Sequence, residues 1–176
     1  MKKTLLLAGI AGMLAANAEA IDATPYVGLD MNYAMVDSDS DVQLSSKDWS
    51  LSGVIGARTD RFGLEAFYNT GLREHKANAS TRISGYGVDA LVFQDLGCSG
   101  RWELVGSAGL ADYKIKAHGA AGENYSDHGL AYRLGAGVEY AVSEKTSVRA
   151  MYHHAWINGS HLDALDEFTV GIRYAF

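Results

Sequence analysis

The sequence predicts an all-β fold, an up-and-down barrel of eight antiparallel strands. Three observations carry that expectation: an apolar/polar alternation of period two that recurs eight times, connections that alternate between short and long, and a strand-like pattern that runs to the last residue, Phe176. Successive side chains of a strand point to opposite faces, so such alternation marks a sheet with one apolar and one polar face. A chain of 176 residues is the length of one domain.

A leader comes first. Lys2 and Lys3 precede an apolar run, Leu5 to Ala16, and Ala18-Glu19-Ala20 supplies a small-x-small cleavage pattern. That is the anatomy of a secretory signal peptide, and the run is shorter than the roughly 17–25 apolar residues of a spanning helix. Residues 1–20 are expected to be removed before Ile21, which leaves 21–176 as the barrel domain.

The first strand is expected over 26–35, with Val27, Leu29, Met31, Tyr33 and Met35 on one face and Gly28, Asp30, Asn32 and Ala34 on the other. The second, 49–58, sets Trp49, Leu51 and Ile55 against Ser50, Ser52, Gly56 and Arg58. The third, 62–70, sets Phe62, Leu64, Ala66 and Tyr68 against Gly63, Glu65, Phe67 and Asn69. The fourth, 84–93, sets Tyr86, Val88, Ala90 and Val92 against Gly85, Gly87, Asp89 and Leu91. The fifth, 102–111, sets Trp102, Leu104, Ala108 and Leu110 against Glu103, Val105, Ser107 and Gly109. The sixth, 130–140, sets Leu130, Tyr132, Leu134, Val138 and Tyr140 against Arg133, Gly135, Gly137 and Glu139. The seventh, 147–156, sets Val148, Ala150, Tyr152, His154 and Trp156 against Ser147, Arg149, Met151 and His153. The eighth closes the chain with Phe168, Val170, Ile172, Tyr174 and Phe176 against Thr169, Gly171 and Arg173.

Short connections are expected near 58–61, 94–101 and 141–146, and long ones near 36–48, 70–82, 112–128 and 157–166. Long loops then gather at one end of the barrel and tight turns at the other. About ten residues at about 3.3 Å each, tilted near 45°, rise roughly 23 Å, close to the ~25 Å apolar band of an outer-membrane barrel.

Alternation alone does not say which face points inward, because a soluble lipocalin-like carrier has the same rhythm with an apolar pocket. Three features favour a membrane barrel with its polar face inside. That face is rich in glycine, and a narrow eight-stranded interior has little room. Its charges are mixed, with Asp30, Glu65, Asp89, Glu103 and Glu139 set against Arg58, Arg133, Arg149 and Arg173, and buried charges must be paired. Aromatic residues also stand at both ends of the apolar face: Phe62, Trp102, Tyr140, Tyr174 and Phe176 at the turn end, and Tyr33, Trp49, Tyr68, Tyr132, Trp156 and Phe168 at the loop end. Two girdles suit two membrane interfaces.

The net charge of −6 becomes −7 once Lys2, Lys3 and Glu19 leave with the leader, which argues against a nucleic-acid partner. The single cysteine, Cys98, has no partner for an internal disulfide. A diffusion pore is not expected, since eight strands enclose an interior just wide enough for side chains.

The sequence resembles the small eight-stranded outer-membrane barrels of Gram-negative bacteria, of the opacity-protein and OmpX type. The resemblance is carried by YVGLDMNYA after the leader, FGLEAFY in the third strand, YRLGAGVEY in the sixth and FTVGIRYAF at the end. It implies short periplasmic turns, long extracellular loops, and a terminal strand, through Tyr174 and Phe176, that serves as the signal for the barrel-assembly machinery. It also implies a structural or surface-interaction role, as an adhesin or host-contact factor acting through the loops. The partners expected are outer-membrane lipids and lipopolysaccharide, the assembly machinery and a host or surface ligand, for a monomer without cofactor or enzymatic activity.

Other chemistry is weaker. Asp37, Asp39, Asp41 and Asp48 fit positions 1, 3, 5 and 12 of a calcium loop, but position 6 is Val42 in place of glycine and position 12 lacks glutamate. A solvated acidic loop is the better reading. His75, His118, His128 and His161 are expected in three long loops without the close spacing of a metal-ligand set, and the adjacent His153 and His154 point to opposite faces. The sequons at Asn78, Asn124 and Asn158 are expected in loops. Lipid A deacylases are also eight-stranded barrels and carry a His-x-Ser pair on a late strand. Here the matching place reads His154-Ala155-Trp156, without the nucleophile.

Overall fold

The computed structural model describes residues 22–37, 47–72, 80–97, 100–118, 124–158 and 164–176. The expected leader, the two middle aspartates of the calcium frame, His75, His161, Asn78 and Cys98 lie outside them. The eight strands are β1 (Thr24–Asp37), β2 (Lys47–Arg58), β3 (Phe62–Gly71), β4 (Ser80–Asp95), β5 (Trp102–His118), β6 (Asn124–Ala141), β7 (Thr146–Asn158) and β8 (Ala164–Ala175). They form one closed antiparallel barrel in chain order.

Closure is made by the two terminal strands, which pair from Tyr26 opposite Ala175 to Asp37 opposite Ala164. Phe176 is tied in as well, its amide donating to the Pro25 carbonyl at 3.1 Å. The last residue therefore completes a ladder and leaves no free sheet edge. The turns at 59–61 and 142–145 are held by side chains: Phe62 N–H donates to Thr59 Oγ1 at 3.1 Å and Thr146 N–H to Ser143 Oγ at 3.1 Å. In the remaining turn Gly97 and Gly100 adopt φ of 81° and 61°, the left-handed region that glycine enters without steric cost.

The facing follows the alternation. Leu29 is 69 % exposed and its neighbour Asp30 6 %. The outer wall carries Leu51, Leu64, Val92, Leu104, Leu110, Leu134, Val170 and Ile172, all exposed. Exposed leucine at this density has a physical reason only in lipid.

The strands run further toward the long-connection end than expected. The β5–β6 pairing continues to His118 opposite Asn124, so the connection expected over 112–128 shrinks to 119–123. His118, His128 and Asn124 accordingly lie in strands, as does Asn158 at the end of β7. Asp37 and Asp48 likewise belong to β1 and β2. A strand that has left the apolar layer needs no apolar face, so its sequence loses the alternation while its backbone goes on pairing.

Candidate functional site

The interior is packed with side chains, arranged in two polar layers. In the turn-side layer Arg58 grips Glu103 with two bonds of 2.7 and 2.9 Å and reaches Glu139 at 3.3 Å. Arg149 donates to Glu139 at 2.6 Å and to Glu65 at 2.8 Å. Arg173 donates to Glu65 at 3.2 Å and clasps Asp30, one of its two bonds measuring 3.1 Å. Tyr26 Oη and Ser147 Oγ add hydrogen bonds to Glu65 at 2.9 Å and to Glu139 at 2.7 Å. The order Glu103–Arg58–Glu139–Arg149–Glu65–Arg173–Asp30 is an unbroken chain of alternating sign.

The loop-side layer is looser. Arg133 Nε stands 3.4 Å from Asp89 Oδ1, and its Nη2 lies 3.8 Å from Glu167. Its other contacts are the Tyr113 hydroxyl at 3.1 Å and the Phe67 ring at 4.4 Å. Around it, Asn32 donates to Ser52 at 2.7 Å, Asn69 to Ser50 at 2.9 Å, and Thr169 to Asn32 at 3.0 Å. Asn69 Oδ1, Asp89 Oδ1, Ser107 Oγ, Arg133 Nε and His153 Nδ1 are buried without a hydrogen-bond partner. A cavity of about 20 Å³ lies among these side chains, room for about one water-sized group. A larger space of about 240 Å³ opens at the turn-side mouth beside Arg58 and Lys145.

Glycines make this packing fit. A Cβ at Gly56 would stand 2.5 Å from the Tyr26 ring, and one at Gly87 2.7 Å from the Phe67 ring. Each ring occupies the volume that its neighbour gives up. Apolar clusters complete the filling, Tyr113, Ile157 and Leu165 with Phe67 toward the loops, and Leu91, Phe93, Val105 and Met151 toward the turns.

All nine ionisable residues singled out in the sequence line the lumen. Glu167, a sixth carboxylate, was not among them, nor were the inward Tyr26, Tyr113 and Phe93. Carrying the last strand's alternation back two residues turns Leu165 and Glu167 inward, which is the signal that identifies this acid.

The aromatic residues singled out for the girdles lie on the outer wall. Trp49, Phe62, Tyr68, Trp102, Tyr132, Trp156, Phe168, Tyr174 and Phe176 are exposed. Tyr33 and Tyr140 are half-buried, because each packs across strands on a tryptophan: Tyr33 on Trp49 at 5.0 Å and Tyr140 on Trp102 at 4.7 Å. On the same wall, near its loop end, His154 Nδ1 lies 2.7 Å from Asp166 Oδ1, and the Tyr152 hydroxyl donates to that oxygen at 2.6 Å. A second outward pair, Tyr86 to Asp112 at 2.9 Å, lies elsewhere on the wall. Among the described residues no group of three or more His, Cys, Asp or Glu is placed to hold a metal ion.

Residues 4–176 match the model of the outer membrane protein beta-barrel domain. The chain belongs to this family. Its fold and its place in the outer membrane follow. Similar solved barrels include Neisserial surface protein A, NspA, at 20 % identity and a TM-score of 0.72, covering 88 % of this chain and 99 % of that one. Ail, the attachment invasion locus protein of Yersinia pestis, is similar at 15 % identity and a TM-score of 0.61, over 88 % of this chain and 97 % of that one. The N-terminal barrel domain of Pseudomonas aeruginosa OprF is similar at 17 % identity and a TM-score of 0.56, over 85 % of this chain and 97 % of that one. At these identities the likeness is one of fold. No curated protein is matched by sequence.

Proposed function

We propose that this outer-membrane barrel is a structural, surface-interaction protein that meets a host or surface ligand through the four connections at its loop end and the strand extensions that carry them, its lumen acting as a charge-paired plug. The observation that carries this reading is the filled interior. Arginine–carboxylate pairs and two apolar clusters occupy the space a transported solute would need, so the surface outside the membrane is the working part. The character of similar barrels supports it: Ail is named for attachment and invasion, and one structure of it holds the heparin analogue sucrose octasulfate.

The rest of the reading concerns biogenesis. The leader is removed before Ile21, Tyr174 and Phe176 present the terminal strand to the assembly machinery, and the barrel works as a monomer without catalytic activity. Lipid A hydrolysis lacks its nucleophile, since Trp156 stands where the serine belongs.

The test replaces each loop-end connection in turn, with the strand extensions that carry it, by a short Gly-Ser turn in the living cell. Loss of adhesion or serum survival, with the barrel still folded in the membrane, is the expected result. Unchanged surface behaviour in all four variants, or in their combination, rejects the reading. N-terminal sequencing of the purified protein checks the cleavage point.

A further inference from the structure

We infer that the lipid-facing cluster Tyr152–His154–Asp166 is a docking site for the sugar headgroup of an outer-leaflet glycolipid. This goes beyond the loops, because the cluster lies on the membrane wall. The cluster stands at the edge of the apolar layer, where an ionisable group costs little and lipid headgroups are within reach. Here His154 and Asp166 face each other directly across β7 and β8, and each side chain is 31 % exposed.

The cluster is built in a definite way. Asp166 Oδ1 takes both internal bonds, from Tyr152 Oη at 2.6 Å and from His154 Nδ1 at 2.7 Å. With a carboxylate as partner, Nδ1 carries the proton, and in that tautomer Nε2 is left as an acceptor. No protein partner is needed for Asp166 Oδ2 to act as a second acceptor beside it. Aromatic surface flanks the pair: Trp156 meets the imidazole edge-on at 4.5 Å, Tyr152 packs on Phe168 at 5.0 Å, and Tyr132 stands opposite Trp156 in the ladder.

This composition selects the ligand. Two acceptors call for hydrogen-bond donors, and aromatic rings suit the apolar C–H face of a sugar. The outward ladder neighbours are Leu134, Ala136, Met35, Phe168 and Ala164, with no cation among them, and Lys47 stands one strand further, opposite Met35. A phosphate would therefore meet the Asp166 carboxylate with no cation next to it in the ladder, whereas sugar hydroxyls bring donors and no charge. The cluster sits at the level of the loop-side girdle, where headgroups meet the wall.

The test uses the refolded barrel in phosphatidylcholine bilayers doped with either an uncharged monohexosyl diacylglycerol or a phosphatidic acid, and reads retained lipid by native mass spectrometry. Each variant is first shown to be folded by its β-sheet circular dichroism. Selective retention of the hexosyl lipid is expected, falling about tenfold in Asp166→Ala and in His154→Ala, which each remove an acceptor and disturb the other. Asp166→Asn, which keeps the shape and turns one acceptor into a donor, is expected to lose most of the same retention. Asp112→Asn, at the other outward tyrosine–aspartate pair, is expected to keep it. Equal retention in all variants, an equal loss in Asp112→Asn, or preference for phosphatidic acid overturns the proposal. Release of fatty acid that depends on His154 also overturns it, in favour of catalysis.

Discussion

The two halves of the lumen solve the same problem with different strictness. On the turn side three arginines and four carboxylates alternate, and every link is a hydrogen-bonded contact of 3.3 Å or less. On the loop side a single arginine stands between two carboxylates at 3.4 and 3.8 Å, and several buried polar atoms lack a hydrogen-bond partner. Desolvating an ion is repaid only where geometry is good and the remaining lone pairs are satisfied. The turn-side layer meets that condition and the loop-side layer meets it in part. Tight ion pairing thus concentrates at the turn end of the lumen. Looser pairing lies toward the loop end.

The largest effect should come from the most shared cation. Arg149 joins Glu139 to Glu65 and is 2 % exposed. Arg149→Met keeps bulk but leaves both carboxylates short of a partner, a loss of about 3–5 kcal/mol. Urea unfolding of the barrel in lipid vesicles measures it. A loss below about 1 kcal/mol, the range of exposed pairs, would mean that the turn-side chain is not a structural unit.

Gly56→Ala tests the steric side of the same layer. The new methyl would meet the Tyr26 ring at 2.5 Å and the Leu64 carbonyl at 2.8 Å, and the carbonyl belongs to a ladder that cannot yield. Overpacking of this kind costs about 1–3 kcal/mol. Removing the ring in Gly56→Ala/Tyr26→Leu should recover part of the loss, and no recovery would place the strain in the backbone contact.

How much of this was legible in the sequence depended on burial. Inside the apolar layer each side chain has one of two environments, so Asp30, Glu65 and Arg173 declared their facing through their neighbours. The glycines announced a narrow interior, but not that Tyr26, Phe67 and Tyr113 would fill it. Which ring enters which gap depends on cross-strand register, as with Tyr26 opposite Gly56, and a strand read alone does not carry register. Glu167 and Asp166 were hidden for another reason. They stand where β8 leaves the apolar layer, and there the alternation fades although pairing continues. The Tyr152–His154–Asp166 cluster needs the β7–β8 register, which places residues 154 and 166 side by side only once the connection between them is closed.

The loop-side layer should respond more weakly, and that difference decides whether the two halves are distinct. Arg133→Met removes a guanidinium that is 4 % exposed but held at longer range, with one good hydrogen bond to Tyr113. Its expected cost is about 1–3 kcal/mol, the desolvation of groups left unsatisfied. A loss as large as that of Arg149→Met would erase the distinction.

The smallest effect is the sharpest test. Asp89 Oδ1 has no hydrogen-bond partner and faces Arg133 Nε at 3.4 Å, an ion pair without hydrogen-bond geometry. Asp89→Asn keeps the shape, lowers the charge to be desolvated and forfeits only a poorly aligned attraction. The two terms oppose each other, so unfolding should shift by less than about 1 kcal/mol. The matched change on the turn side, Glu65→Gln, deprives Arg149 and Arg173 of a shared, fully engaged carboxylate and should cost several times more. If both changes cost the same, slack in the loop-side layer has no energetic meaning. If Asp89→Asn stabilises the barrel, charge is retained there at the expense of stability.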